Sequence, residues 1–470
     1  MPSDLRLLGV GAVVLAAVLY ALVPGGFLGY DTAYQLVWGR DLLDGHLPQY
    51  ELRLAPTPHP LQVLAGIPAA LLGQAADEAM RVLGLVAFGL LAAGLGRLGT
   101  LLFSRWVGLL AAAIVVTRPH LFEMAHLGDA ALPAATLIVW AGVLALADGG
   151  SGRRVGAMAL LAAAGLLRPE AWLLAGAYLV WAVRGRELRA AATLIVLAAA
   201  GPLLWVLSDL AVTGDPLWSL HHTRDGTVLL DRPTGVLAGL EQLPRHLNFL
   251  LAPAALVVGL LGVAAGLSAA RRRMLGPAGA IVLAGGGFLV LAVAGLSLQP
   301  RYLAPLAAGI ALCAAVGALG WTALETADPR RRRWRAAGLA ALAVLAAGLP
   351  WDLAEYAAVR VRLADRDGGR LEALARADAR PALTRCAPVA VPTIRPIPYL
   401  ALWSGARPAD FTEVGGRAGF GATLVTPTAT SESYLGGGGE GQPERVVVPA
   451  PPGGYRLVAG NRSWRVFSRC

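Results

Sequence analysis

Long apolar runs of Ala, Leu, Val and Gly recur from Leu7 to Pro350, and the charge between them is concentrated in short arginine clusters. The clusters are Arg105, Arg153–Arg154, Arg184/Arg186/Arg189, Arg271–Arg273 and Arg330–Arg333 with Arg335. A stretch of about 20 apolar residues is long enough to cross a bilayer as a helix. Short basic loops between such stretches mark the cytoplasmic side. The pattern predicts a polytopic membrane protein, and only 15% of the 470 residues are charged, against about 25% in soluble chains. The net charge of +10 comes from arginine alone, with no lysine. It is spread over loop clusters and forms no basic stripe with interleaved aromatics, which excludes a nucleic-acid binder.

If all five clusters are cytoplasmic, the spans between them must come in pairs. Eleven spans satisfy this, near 7–23, 79–102, 106–122, 131–147, 155–167, 170–183, 191–208, 247–268, 278–297, 303–321 and 336–350. The N-terminus is then inside and the C-terminus outside. The first span has no clear small-residue cleavage site after it and reads as uncleaved. The run "HPLQVLAGIPAALLG" (59–73) is short for a span and reads as an interfacial helix inside a long external loop, 24–78. The run 155–183 is interrupted by "LLRPEAW". Pro169 disfavours helix at Arg168, so two short spans should meet at Arg168-Pro169-Glu170. A charged turn at that depth survives only inside protein or in a wet cavity.

The fold class expected is therefore an all-α membrane domain over 1–351 followed by a soluble mixed α/β domain over 352–470. Residues 352–370 are charged and helix-like. The short runs "VAVPTI", "ATLVTP", "ERVVVPA", "YRLVAG" and "WRVFS" read as strands, and "YLGGGGEGQPE" as a flexible loop. Cys386 and Cys470 fall in this domain, where an oxidising compartment permits a disulfide. Cys313 lies within a predicted span and reads as packing.

On this topology all seven histidines are external, and the acids gather in three external loops. Asp31, Asp41, Asp44 and Glu51 are in the first, Glu123 and Asp129 in the second, and Asp209, Asp215 and Asp225 in the third. A last external turn carries Arg301 and Tyr302. Asp31 can act as a general base toward a hydroxyl, or as the N-cap of a helix continued by Tyr34, Trp38 and Leu42. Asp129 likewise reads as a base or as the cap of the span that follows. Arg168 and Arg301 can hold phosphate, or Arg168 can pair with Glu170. His59 and His222 are further polar candidates, and a divalent cation near His222 is an alternative unsupported by any close-spaced ligand motif. No phosphate-binding glycine loop, nucleophile elbow or zinc-type cysteine cluster is present.

The order of these pieces resembles the GT-C superfamily of membrane glycosyltransferases, which includes protein O-mannosyltransferases, the lipid A aminoarabinose transferase and actinobacterial arabinosyl- and mannosyltransferases. The resemblance covers roughly residues 7–320. It rests on an acid after the first span leading to a "G-h-x-P-Y"-like end ("YDTAYQLVWGRDLLDGHLPQY"), on His-Pro before the interfacial helix ("PTPHPLQVLAGIP") and on an acid opening the fourth span ("AHLGDAALPA"). The "RPE" turn, "RYLAP" and "TGDPLWSL" are also similar. The first motif reads Asp-Thr where many relatives have two adjacent acids. The resemblance implies an inverting transfer of a sugar, mannose or arabinose foremost, from a polyprenyl-phosphate donor to a cell-envelope glycan or glycolipid. It assigns Asp31 as base and Asp129 as second acid, with His59 and Arg301 at the donor phosphate and no obligatory cofactor. A lipid-linked sugar flippase and a non-catalytic envelope scaffold are the competing classes.

Overall fold

The protein is described as a computed structural model, covering residues 2–23, 25–147, 151–184, 188–364, 366–414, 419–428, 432–433, 444–445 and 450–470. The Gly-rich segment 434–443, Arg186 and most of the "ERVVVPA" run lie outside the described residues.

Fifteen of the helices build the first part of the chain: α1 (Pro2–Leu22), α2 (Tyr30–Leu43), α3 (Pro60–Ala70), α4 (Ala76–Leu102), α5 (Arg105–Val116), α6 (Pro119–His126), α7 (Ala131–Leu146), α8 (Ser151–Gly165), α9 (Ala171–Ala182), α10 (Leu188–Thr213), α11 (Trp218–Leu229), α12 (Gly235–Ala269), α13 (Arg271–Val293), α14 (Ala304–Leu319) and α15 (Pro329–Leu363). Among the described residues six helices are long and apolar enough to cross a membrane, seven if the bent α5–α6 pair is one span. Four shorter apolar helices, α1, α3, α7 and α9, accompany them. The expected interfacial helix is α3, and the expected break at Arg168-Pro169-Glu170 separates α8 from α9.

Three of the arginine clusters, at Arg105, Arg271–Arg273 and Arg330–Arg335, share one end of the bundle. Ser104, beside Arg105, hydrogen-bonds to Thr322 at 2.6 Å. Arg330 donates to the Ala269 carbonyl, and Arg331 and Arg335 stack over Trp321. Arg301 enters the opposite end of the intervening helix α14, whose faces are almost wholly buried.

Helix breaks are satisfied by side chains rather than left open. The backbone of α12 departs from helix at Ala252, before Pro253. Arg118 donates to the freed Leu251 carbonyl and pairs with Asp352 of α15. Glycine sets the closest crossing: a Cβ on Gly39 of α2 would lie 2.6 Å from the Gly66 backbone of α3, so the two helices meet at backbone distance only without a side chain there.

The C-terminal part adds α16 (Arg366–Arg376), α17 (Arg380–Arg385) and α18 (Ile397–Ser404). They flank a five-stranded sheet of order β2-β1-β3-β7-β6, formed by β1 (Val389–Val391), β2 (Phe411–Glu413), β3 (Thr423–Pro427), β6 (Arg456–Gly460) and β7 (Trp464–Ser468). The pair β4 (Glu432–Ser433) and β5 (Glu444–Arg445) stands apart. β1 pairs parallel with β2 and β3, and β7 runs antiparallel between β3 and β6. α15 runs unbroken through residue 352, so the expected boundary falls inside a helix. Composition changes at Asp352, whereas the helical backbone hydrogen bonding continues through it.

α18 packs on α2. Arg40 of α2 donates to the Ala401 and Ala406 carbonyls at 2.9 and 2.8 Å. Phe27 and Tyr399 meet edge to face with centroids 6.2 Å apart.

Candidate active site

The site assembles where the first turns of α2, α7 and α14 converge. Gly29 and not Asp31 occupies the N-cap of α2. Asp31 sits one position into the first turn, so its side chain is not used in capping, and that reading of it is corrected. Its partner is Arg301: Nη2 to Oδ2 is 2.8 Å. The other arm of the same guanidinium, Nη1, reaches Asp129 Oδ2 at 3.4 Å. Asp129 has a second duty, because its Oδ1 accepts the backbone N–H of Ala131, the first residue of α7, at 2.8 Å, although the N-cap position is Ala130. One arginine thus bridges the two acids that the sequence singles out.

The surrounding hydrogen bonds fix this geometry. Thr32, beside Asp31, donates to the Gly128 carbonyl at 3.0 Å, and Gln62 of α3 donates to the same oxygen at 2.7 Å. The Gly29 N–H donates to the Leu127 carbonyl at 2.8 Å. Two of these bonds hold the turn carrying Asp129 against the start of α2, and the third ties it to α3. Gln35 holds the loop before α3, donating to the Thr57 carbonyl and accepting the His59 N–H, both at 3.0 Å.

On the other flank Arg168 pairs with Glu170 at 2.7 Å and lies over the Tyr302 ring, 4.0 Å from its centroid. Arg168, Glu170, Arg301 and Tyr302 line one small cavity with Ala131 and Pro305. Arg168 Nε, Glu170 Oε2, Arg301 Nε and His59 Nδ1 are buried with no protein partner. Buried polar atoms are rarely left unpaired, so the three on cavity-lining residues, Arg168, Glu170 and Arg301, point to a polar ligand.

His59 is buried. Burial first, then the charges of Arg168 and Arg301, push its pKa well below the usual 6.5. It is a neutral imidazole whose ring meets Trp205 edge to face at 5.9 Å. His222 shares α11 with Asp225, whose charge acts on it, but its ring is turned onto the loop before α3. Its Nε2 bonds the Ala55 carbonyl at 3.0 Å and its ring stacks on Trp218, so it braces the loop that leads to His59. Among the described residues no group of three or more His, Cys, Asp or Glu could hold a metal ion. Cys386 and Cys470 are free thiols rather than a disulfide, yet they are neighbours: the hydrogen bond with Cys470 pushes the Cys386 thiol up.

Sequence reading did not single out Asp209 with Ser219. Ser219 donates its backbone N–H and hydroxyl to Asp209 at 2.9 and 2.8 Å, and accepts from Trp205 Nε1 at 2.9 Å. This places the indole that packs on His59. The "TGDPLWSL" motif held the signal, but a buried acid ten residues before the serine is visible only in the fold.

The chain is thus a helical membrane domain with two short helices, α2 and α3, between α1 and α4, followed by a mixed α/β part. No family model matches the sequence, and no curated protein matches it. Among solved structures the chain is similar to ArnT from Cupriavidus metallidurans. The likeness to the form bound to undecaprenyl phosphate has a TM-score of 0.57 at 15% identity, covering 98% of this chain and 97% of that one. The apo form gives 0.56 at 17% identity with the same coverage.

Proposed function

We propose that the protein is an inverting membrane glycosyltransferase that moves a sugar from a polyprenyl phosphate to a cell-envelope acceptor. The observation that carries this reading is the Arg301 bridge between Asp31 and Asp129, set in a fold similar to that of a protein crystallised with undecaprenyl phosphate. Asp31 takes the proton of the acceptor hydroxyl. The oxygen attacks the anomeric carbon, the bond from that carbon to the phosphate oxygen breaks, and the polyprenyl phosphate leaves with the electron pair while the centre inverts. Phosphate oxygens compete with carboxylates for a guanidinium fork. The donor therefore draws Arg301 from Asp31 toward the leaving group, which stabilises the developing charge and frees the base. Arg168 and Arg301, each with an unpartnered Nε, line the same cavity. The neutral His59 offers a polar contact to the phosphate. Asp129 stays fixed by its bond to the Ala131 N–H and orients Arg301.

The arginine-rich end faces the cytoplasm in this reading, so the site and the C-terminal domain face outward, as the positive-inside rule requires. Mannose and arabinose lead as sugars on the resemblance of the motifs. The test is transfer in proteoliposomes from a panel of radiolabelled polyprenyl-phosphate sugars to envelope glycans. Transfer by the wild type that Asp31→Asn abolishes without changing thermal stability supports the reading. Equal transfer by both proteins removes Asp31 as base.

A further inference from the structure

The cavity shared by Arg168, Glu170, Arg301 and Tyr302 has a volume of about 20 Å³. That is room for one water-sized group and not for a sugar ring. Apolar side chains such as Ile138 and Leu174 close its other walls. Three polar atoms on its lining residues are buried with no hydrogen-bond partner among the described residues: Arg168 Nε, Arg301 Nε and Glu170 Oε2. Other atoms of the same groups are engaged. Glu170 Oε1 accepts from Arg168 Nη2 at 2.7 Å, and the two arms of Arg301 hold Asp31 and Asp129. The Tyr302 ring covers the Arg168 guanidinium at 4.0 Å, so a partner for Nε must approach in the guanidinium plane, where its N–H points.

The three atoms ask for one particular kind of group. Two of them are N–H donors, because a guanidinium only donates, and the third is a carboxylate oxygen, which only accepts. A phosphate oxygen answers the two donors and is repelled by the carboxylate. An ammonium answers the carboxylate and is repelled by the two guanidiniums. A hydroxyl has one O–H to give and two lone pairs to receive, so a single hydroxyl matches all three.

We propose that this cavity takes one hydroxyl of the donor sugar, with Glu170 as the specificity-determining residue. Glu170 Oε2 accepts the hydroxyl's O–H, and Arg168 and Arg301 donate to its oxygen through Nε. The inference rests on the polyprenyl-phosphate reading above and deepens it: the arginines that meet the phosphate also meet the sugar next to it. The site then distinguishes the loaded donor from the spent carrier, which has no sugar hydroxyl to offer. A sugar carrying a bulky substituent in place of that hydroxyl is turned away by the size of the cavity. A water molecule has the same donor and acceptor inventory as a hydroxyl, and the experiment separates the two.

The probes are mannosyl and arabinosyl undecaprenyl phosphate, their singly deoxygenated analogues, and undecaprenyl phosphate itself. Each competes with radiolabelled undecaprenyl phosphate for the full chain in nanodiscs, with no acceptor present, so the measurement needs no turnover. The expected result is that one glycosyl lipid binds at least about tenfold more tightly than undecaprenyl phosphate, a gain of about 1.4 kcal/mol, and that deleting one particular hydroxyl erases the gain. Glu170→Met, which has no acceptor, should erase it too, while binding of undecaprenyl phosphate changes much less. Glu170→Gln keeps an acceptor oxygen and should retain part of the gain. Loss of fold would weaken all the lipids together, and thermal melts identify it. If every deoxy analogue binds as its parent does, a water occupies the cavity and the proposal is overturned by the wild type alone. Equal binding of both glycosyl lipids and the bare carrier overturns it as well, as does a hydroxyl preference that survives in a folded Glu170→Met. In these three cases saturable binding of the label leaves the polyprenyl-phosphate reading standing. Absence of saturable binding removes that reading and the proposal with it.

Discussion

The Tyr399 hydroxyl donates to the Leu28 carbonyl, and with the Phe27–Tyr399 ring contact this bond joins the C-terminal domain to the segment that presents Asp31. The domain is thus part of the frame of the site. Arg40, farther along α2, makes the second attachment through two backbone carbonyls of the same region.

Arg40→Ala should remove both of these charged hydrogen bonds, worth about 1.5–3 kcal/mol each. Hydrogen exchange should rise in the 401–406 segment while the apolar spans stay protected. Unchanged exchange there would show that the apolar packing of α18 holds the domain alone.

The Arg118–Asp352 pair is buried on both sides, at 6% and 4% side-chain exposure. Asp352→Ala leaves the guanidinium uncompensated and should cost about 3–5 kcal/mol. Arg118→Met combined with Asp352→Leu should recover much of that loss, because replacing both charges removes the desolvation penalty as well. Thermal unfolding in detergent reads both.

Acid should destabilise the protein through His59. Its folded pKa lies well below the usual 6.5, so the unfolded chain takes up a proton below pH 6.5 that the native state refuses. Stability then falls as pH drops, by up to about 1.4 kcal/mol per pH unit for one such group. His222 shifts the same way, again through burial. Unfolding measured between pH 7.5 and 5 should show a shallower slope for His59→Asn than for the wild type.

Cys386 and Cys470 are neighbours, whereas Cys313 is buried far from either in the helix core. Treatment with diamide should oxidise the first two to a disulfide as the diamide is reduced, removing two titratable thiols. Cys470→Ser should prevent this, and Cys313 should stay reduced. Thiol titration of the unfolded protein and intact mass check both statements.

Much of this was legible in sequence, for identifiable reasons. The pairing of arginine clusters located α3 and the α8–α9 break, because the bilayer imposes length and sidedness on apolar runs. Asp31, Asp129, Arg168 and Arg301 stood out as charges at the ends of such runs, where charge is costly. What was missed depends on tertiary approach. The Arg118–Asp352 pair joins residues 234 positions apart, and nothing local marks either as the other's partner. The Arg232–Ser297 contact is of the same kind. In the C-terminal domain β1, β3, β6 and β7 carried strand-like runs, whereas α17 and α18 are too short for periodicity to declare. His222 looked like a ligand because of its neighbours in sequence, but the fold turns it onto the Ala55 carbonyl.

The Arg118–Asp352 ion pair also says something about the order in which the molecule can be made. A ribosome adding about 5–20 residues per second emits Asp352 on the order of ten seconds to most of a minute after Arg118. The Leu251 carbonyl, which Arg118 also grips, is delivered partway through that interval. Throughout it the early helices carry an unmatched cation toward the bilayer, so the nascent chain must shelter Arg118 in water or in the insertion machinery until α15 arrives. The last long helix to be synthesised is therefore the one that locks the early ones in place.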